Sequence, residues 1–411
     1  MNHAPISPPH TASLPGSIAR REATVLTTPH VRWPLFEARH FDLATRFAQW
    51  ASVNLKPYEA DEGGDGKAAR AIFAALGRDG WLRSTSTSDD QGAALDLRAV
   101  CLLREICGQS SAMADVALSE PWLGALPLML AASTELKRKY LPGYFAGSLL
   151  PAFALSEPDA GSDVQAITTS ARKDGSHFVI NGRKTWTSNC GLANLYVVFA
   201  RLQRGRGGSE IAAFAIEPDD IGVVFEECLA VMSPHTVGTW RLEDCRIPAS
   251  RLIGGADAGL HIALRSLEIF RPTVGAAAIG FARRALDEAV QRSLSRRAFK
   301  KPLADHQMIQ AKLAEMATEL DAATLLVYRA AWNSDTGGGS GRESSMAKLY
   351  ATESAHRIID NAVQIFGGMG VRKGEVVERL YRHVRAFRIF DGTSEIQKLI
   401  IARSLLADAA G

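Results

Sequence analysis

The segment Arg388-Ile389-Phe390-Asp391-Gly392-Thr393-Ser394-Glu395-Ile396-Gln397 decides how this chain is read. It sets one carboxylate, Asp391, against a Gly-Thr pair that turns the backbone into a last helix, expected from about Thr393 to Ala407. Glycine supplies the freedom for the turn, and Thr393 or Ser394 supplies a hydroxyl suited to cap a helix start. Upstream stands Leu155-Ser156-Glu157-Pro158-Asp159-Ala160-Gly161-Ser162-Asp163. Alone, its Gly-Ser-Asp run is a turn before a strand.

Between and around these segments the hydrophobic period changes twice. From Phe36 to about Leu150 the pattern is helical. Phe36, Phe41, Ala44, Phe47, Ala48 and Ala51 recur at helical spacing, and Pro142 marks a kink or break. From Ala152 to about Ile253 the segments are short and rich in Val, Ile, Phe and Trp, as strands are. Lys173-Asp174-Gly175-Ser176 is a turn between Thr168–Arg172 and His177–Asn181, and the glycines from Gly205 to Gly208 fit a hairpin tip. From Gly259 onward long helices return: Leu260–Leu294, Asp305–Trp332, Arg342–Phe366 and Val376–Arg388, with a glycine loop at Thr336–Gly341. The expected class is α+β: a tail over 1–30, a helical domain over 31–150, an antiparallel β-domain over 151–255 and a helical bundle over 256–411.

Bulk properties narrow the function. The chain has 411 residues, 46% hydrophobic and 22% charged, as an ordinary globular protein of two or three units does. A formal net charge of +3 implies no polyanion partner, so nucleic acid binding is not expected. The five cysteines, Cys101, Cys107, Cys190, Cys228 and Cys245, contain no CxxC pair. Reduced thiols in the cytoplasm are expected, with no metal site. No apolar run approaches a membrane span, and the stretch Leu123–Ala132 with Pro127 reads as a buried helix. The first residues are rich in Pro, Ser, Thr and His without an apolar core, so a disordered tail is expected rather than a secretory signal, with a transit peptide the minor alternative because Pro5, Pro8, Pro9 and Pro15 would break its helix.

Four further motifs stand in order between the two opening segments. Asn181-Gly182-Arg183-Lys184-Thr185-Trp186-Thr187-Ser188-Asn189 comes first, then Ser266-Leu267-Glu268-Ile269-Phe270-Arg271-Pro272. Arg296-Arg297-Ala298-Phe299 follows, with Asp305-His306-Gln307 close behind, and then Gln364-Ile365-Phe366-Gly367-Gly368-Met369-Gly370. A guanidinium suits a pyrophosphate because it is always charged and donates in a planar fork, and glycines let a backbone approach a ligand.

Taken together, from about Phe36 to Leu406, these motifs resemble the acyl-CoA dehydrogenase superfamily. The resemblance implies an N-terminal helical domain, a middle antiparallel β-domain and a C-terminal four-helix bundle holding FAD. It implies that Phe153, Leu155, Ser156, Trp186 and Ser188 face the flavin. Arg297, Phe299, Gln307, Gln364, Gly367, Gly368, Thr393 and Glu395 would hold the rest of FAD, partly from a neighbouring subunit of a homotetramer. Ser162, Glu268, Arg271, Phe390 and Gly392 would line the substrate, an acyl-CoA or acyl-carrier-protein thioester. Asp391 would be the base that removes the α-proton, and electron-transfer flavoprotein a fitting acceptor. The family pattern mostly has Glu where this chain has Asp391, and Phe270 fills the other position at which relatives carry a base. Asp391 is thus the one well-placed carboxylate of the sequence reading. Gly374 and His383 also depart from the pattern, at positions that are mostly structural. Two other readings stay open on the same fold: a flavin oxidase or monooxygenase similar to nitroalkane oxidase, which uses Asp, and a non-catalytic flavoprotein.

Overall fold

The computed structural model describes residues 27–410 apart from 62, 64–65, 87–94, 204–208 and 340. The expected hairpin tip at 205–208 and most of the expected tail lie outside the described residues. The chain is packed from Thr27, however, four residues earlier than the sequence reading places the body. Thr27 and Gln109 exchange two hydrogen bonds, and buried His30 lies 3.1 Å from Glu105. Glu105 is itself buried and accepts from Tyr328 at 2.6 Å and Arg283 at 3.0 Å, so the segment helps satisfy a buried carboxylate.

Five helices come first: α1 Ala38–Asn54, α2 Lys67–Arg78, α3 Leu97–Ser110, α4 Ala112–Ala131 and α5 Thr134–Phe145. α1 buries Leu43, Ala44, Phe47 and Ala51 along one stripe. Phe41, placed on that face by its spacing, is 45% exposed instead. α4 is apolar almost all round and buried on nearly every side, with Ser111 capping it by accepting from the Ala114 N–H at 3.1 Å. Pro142 does not break α5. It falls near the helix end, where one lost hydrogen bond is offset by burial of Tyr140, Leu141, Tyr144 and Phe145.

An eight-stranded sheet follows: β1 Pro151–Ala154, β2 Ser170–Asp174, β3 His177–Ser188, β4 Leu195–Gln203, β5 Ser209–Ile216, β6 Val223–Leu229, β7 Val237–Pro248 and β8 Leu252–Ile253. The order is β6-β7-β3-β2-β4-β5-β8, with β1 beside β4. The pairing is antiparallel except that β1 and β2 each run parallel to β4. β4 is buried on both faces. Leu195, Val197 and Phe199 join the helical core, while Tyr196, Val198 and Ala200 join a second core inside the sheet domain. That two-sided burial explains its unbroken apolar run.

The chain then returns to helices: α6 Gly259–Ser295, a two-stranded hairpin of β9 Arg297–Ala298 and β10 Lys301–Pro302, α7 Gln307–Asp335, α8 Gly341–Phe366, α9 Val376–Arg385 and α10 Ser394–Ala410. The expected helix to Arg388 ends at Arg385, and Ala386–Arg388 forms a tighter turn. α6 packs against α3, α7 and α8. A Cβ at Gly280 would sit 2.2 Å from the Glu105 carbonyl oxygen, so the α3–α6 crossing needs glycine there. One apolar core runs from the first helices past β4 and β5 into the last ones. The polar groups described next are set into that shared core.

Candidate active site

Asp391 sits in the left-handed region, φ 55°, and Gly392 follows at φ 92°. Asp tolerates this conformation better than most residues do, and glycine adopts it freely. A Cβ on Gly392 would also fall 2.5 Å from Gln397 Nε2. Two buried groups hold the turn by its carbonyls. Lys348 Nζ, from α8, donates to Phe390 O at 3.0 Å and Gly392 O at 2.8 Å. Gln397 Nε2 donates to Gly392 O at 2.9 Å and Asp391 O at 3.4 Å. Thr393 is the N-cap, its hydroxyl accepting from the Ile396 N–H at 3.3 Å.

The Asp391 carboxyl lies deep in the protein, and the residue keeps a partly accessible surface. Burial, then repulsion from Glu120, pushes its pKa up to about 7, against the pull of Lys348, Arg104 and Arg271. Glu120, near the middle of α4, is equally deep and partly accessible, and burial raises its pKa too. Glu120 is a deep carboxyl that the sequence reading did not single out. Arg104, fully buried, makes a two-pronged bridge to Asp115 at 2.8 and 2.9 Å and donates to Thr273 at 2.9 Å. Arg271 is buried, its Nε without a hydrogen-bond partner among the described residues, and burial holds its pKa down. Burial likewise lowers Lys348 to about 8, while Asp391 pulls the other way.

A second set of the residues singled out from the sequence lies in the sheet domain. Lys184, wholly buried in β3, donates to Leu155 O at 3.0 Å and to Glu157 Oε1 at 2.7 Å. Glu157 also accepts from the Thr168 and Thr169 N–H groups at 2.6 and 3.0 Å. Burial opposes the Glu157 charge, but Lys184 outweighs it and holds the carboxyl at about 2. The Phe153-Leu155-Ser156 segment is thus fixed from behind, with the Thr185 N–H donating to Ser156 O at 3.0 Å. Trp186 occupies a bulge of β3 at φ 55° and is 61% exposed, a flat apolar surface turned outward beside this loop. Ser188 Oγ lies 2.9 Å from His235 Nε2. Burial pushes His235 down to about 4, so its ring is neutral at physiological pH.

A cavity of about 480 Å³ is lined by Arg292, Arg296, Phe366, Gly367, Gly368 and their neighbours. Among the described residues nothing lies within 4 Å of a Cβ built on Gly367 or Gly368, and Arg292 Nε is buried without a hydrogen-bond partner. Open glycine backbone beside guanidinium groups fits a pyrophosphate, and exposed Trp186 fits a flat ring. The residues present therefore suit a dinucleotide flavin. Arg296 faces this cavity. Arg297, the arginine the family resemblance implied, donates to Lys300 O at 2.6 Å on the exposed hairpin. Phe299 is 90% exposed, and Gln307, Gln364 and Glu395 are exposed too. Ser162 is on the surface, while Glu268 pairs with Arg265 at 3.2 Å. Phe390 packs on Phe387 at 4.9 Å. Of the arginines that follow Gly370, Arg382 and Arg388 are paired with Glu378 at 2.5 Å and Glu353 at 2.8 Å. His383 is buried and held near 3, chiefly by burial, then by Arg382 and Arg379.

The sequence reading missed Glu120, His235, Lys348 and Arg104. Glu120 did carry a signal: an acid inside the apolar run of α4 needs a reason to be there.

The acyl-CoA dehydrogenase N-terminal, middle and C-terminal domain models match residues 37–148, 152–245 and 257–406. The chain is 35% identical to the 3-(aryl)acrylate reductase of Clostridium sporogenes over 90% of its own length and 100% of that protein. It is 33% identical to a probable acyl-CoA dehydrogenase of Mycobacterium tuberculosis over 89% of this chain and 95% of the relative. An acyl-CoA dehydrogenase from Bacillus anthracis complexed with FAD superposes with a TM-score of 0.85 at 30% identity, covering 94% of this chain and 69% of that one. Fold, site and relatives together define a flavoprotein oxidoreductase acting on CH–CH bonds. The chain belongs to the acyl-CoA dehydrogenase family, and FAD is its cofactor.

Proposed function

We propose that this chain dehydrogenates an acyl thioester at its α,β bond, with Asp391 removing the α-proton. The thioester is an acyl-CoA or an acyl group on a carrier protein, since both present the same phosphopantetheine arm. The observation that carries the reading is the placing of Asp391: a deep carboxyl on a left-handed turn held by Lys348 and Gln397, its pKa pushed up to about 7 chiefly by burial. An ordinary carboxylate is too weak a base for a thioester α-proton, and a general base works best near the operating pH. When bound, FAD accepts the β-hydride. Lys348 and Gln397 hold the Asp391 turn in place, and Arg271 and Arg104 favour the ionised carboxylate once a proton has left. The Asp391 N–H and other oriented donors would polarise the thioester carbonyl as negative charge develops.

Asp is one methylene shorter than Glu, and rates fall ~100-fold for a 1 Å misplacement. The left-handed turn at Asp391 is the feature that would set its reach. The same departure favours a second reading, oxidation of a more acidic substrate such as a nitroalkane with O2 as acceptor. Electron-transfer flavoprotein is the acceptor in the first reading. A homotetramer in the cytoplasm fits both. Arg297, Phe299, Gln307 and Gln364 all lie on the outer surface, where they suit a neighbour's cofactor site, and the five cysteines are unbridged. Sedimentation of an active FAD-loaded monomer would contradict the assembly.

The test is anaerobic flavin bleaching against a panel of acyl-CoAs, acyl-carrier proteins and nitroalkanes. Bleaching by a thioester supports dehydrogenation. Bleaching by nitroalkanes alone, with fast reoxidation in air, establishes the oxidase reading instead.

A further inference from the structure

The loop from Arg388 to Ser394 carries Asp391 at its midpoint, three residues from either end. Backbone bonds fix its two flanks. The Ile389 and Phe390 N–H groups close on Ala386 O at 2.8 and 3.1 Å, and on the far side the Gln397 N–H returns to Thr393 O at 3.0 Å. Between these bonds side chains hold the turn. Lys348 and Gln397 take its carbonyls. Its two ends are gathered by a different residue, Glu353 of α8. Glu353 Oε1 accepts from Arg388 Nε at 2.8 Å and from the Ser394 hydroxyl at 2.6 Å. One oxygen thus receives a donor from the residue that enters the loop and a donor from the residue that leaves it. Ser394 is buried, and Glu353 and Arg388 are half-buried, so this contact is more sheltered than an ordinary surface ion pair. Burial opposes the Glu353 charge, but Ser394 and Arg388 outweigh it and hold the carboxyl below its ordinary value.

We propose that Glu353 is a positioning residue for Asp391: by binding both ends of the loop to α8, it sets how far the short Asp side chain reaches toward the substrate. The proposal rests on the reading of Asp391 as the base. A loop closed at its ends has few backbone arrangements left, and each one it loses would have put the carboxyl elsewhere. That restriction counts for more here than it would with a longer acid. Glu could recover a lost ångström by changing rotamer. Asp has one rotatable bond fewer, so its carboxyl goes where the backbone puts it. Asp391 also holds a left-handed conformation, φ 55°, which a residue other than glycine keeps where its surroundings impose it. Lys348 binds the middle of the loop and Glu353 binds its ends, so one helix supplies both fastenings. Glu353 touches the loop at Arg388 and Ser394 and acts on the Asp391 carboxyl through the backbone between them.

Glu353→Ala releases both ends of the loop. A displacement of half an ångström at the base lowers the rate roughly tenfold, at ~100-fold per ångström. Anaerobic flavin reduction by a saturating thioester should fall by about that factor in the FAD-loaded variant. Product should still perturb the flavin spectrum at the wild-type concentration, because the loss lies in the chemical step and not in binding. Glu353→Gln still offers one oxygen to both donors and should recover most of the rate. The acidic limb should keep its wild-type position in both variants, since Glu353 stays ionised well below neutrality and acts through the chain.

A double-substitution cycle separates positioning from general damage. In an Asp391→Asn background there is no base to misplace, so adding Glu353→Ala should slow reduction no further. Slowing by the same factor in both backgrounds, or a wild-type rate in Glu353→Ala alone, would overturn the proposal. A moved acidic limb would do the same, by showing that Glu353 acts through its charge. Should Glu353→Ala fail to fold, Ser394→Ala opens one end of the loop alone and should slow reduction several-fold, and a wild-type rate there overturns the proposal. Flavin reduction indifferent to Asp391→Asn would remove the base assignment instead. Slow reduction by Asp391→Asn beside a wild-type rate in Glu353→Ala leaves that assignment standing and removes Glu353 from it.

Discussion

Lys348→Met perturbs the turn that carries Asp391 without touching the carboxyl. Lys348 donates to two carbonyls, Phe390 O at 3.0 Å and Gly392 O at 2.8 Å. Hydrogen bonds from a charged donor are worth roughly 1.5–3 kcal/mol each, so their loss costs about 3–6 kcal/mol. Against this stands the cost of burying an ammonium. The pKa of Lys348 falls from 10.5 to about 8, which at 1.36 kcal/mol per unit is about 3 kcal/mol, fully present at neutral pH below both values. The two nearly offset. The variant should be folded and less stable by about 0–3 kcal/mol, a modest fall in melting temperature. The larger effect is on chemistry. The ammonium favours ionised Asp391, so its removal raises the Asp391 pKa above about 7 and moves the acidic limb of flavin reduction to higher pH. With only Gln397 left holding the carbonyls, a displacement of even half an ångström slows reduction by roughly tenfold. Stopped-flow bleaching on both sides of neutrality, with thermal unfolding on the same samples, reads both quantities. A limb that moves down, or a rate at high pH equal to wild type, would refute this account of the turn.

Trp186→Ala should weaken FAD retention, measured by flavin fluorescence in the filtrate, with little change in melting of the apoprotein, because the side chain is 61% exposed and packs on little of its own chain. Equal retention would remove Trp186 from the flavin wall. Asp391→Glu should slow bleaching if the left-handed turn has set the reach for Asp, since the longer side chain crowds the acyl carbon. A faster variant would show instead that Asp under-reaches. The wild-type acidic limb of flavin reduction should lie near neutrality, rising with pH as Asp391 ionises, because burial and Glu120 have raised its pKa to about 7. A limb near pH 4, the ordinary range of a carboxylate, would contradict the electrostatics.

What the sequence made legible was local. The Asp391-Gly392-Thr393 turn, the long helices and the change to short strands are patterns of neighbouring residues, and the structure has each of them. Trp186 and Ser156 were marked by their motif, and the structure places Trp186 in a bulge of β3 with its ring exposed. What stayed hidden was tertiary. Glu120 of α4 adds to the raised pKa of Asp391 across the fold, and no spacing along the chain announces it. Lys348 looked like any lysine of a long helix, although it is wholly buried beneath the turn. Helical periodicity averages over a face, which is why Phe41 was placed inside while Leu43 took the buried position. The parallel pairing of β1 and β2 with β4 brings distant strands together, and it leaves no mark in a two-residue period.

The most direct test of the central claim is anaerobic flavin reduction by Asp391→Asn. The substitution keeps size and hydrogen bonding and removes the basic oxygen. With the thioester that best bleaches the wild type, the variant should retain FAD and still bind product, as seen in the perturbed flavin spectrum. It should reduce the flavin at least ~100-fold more slowly, the lower end of what a general base contributes. Reduction at the wild-type rate would show that Asp391 is not the base.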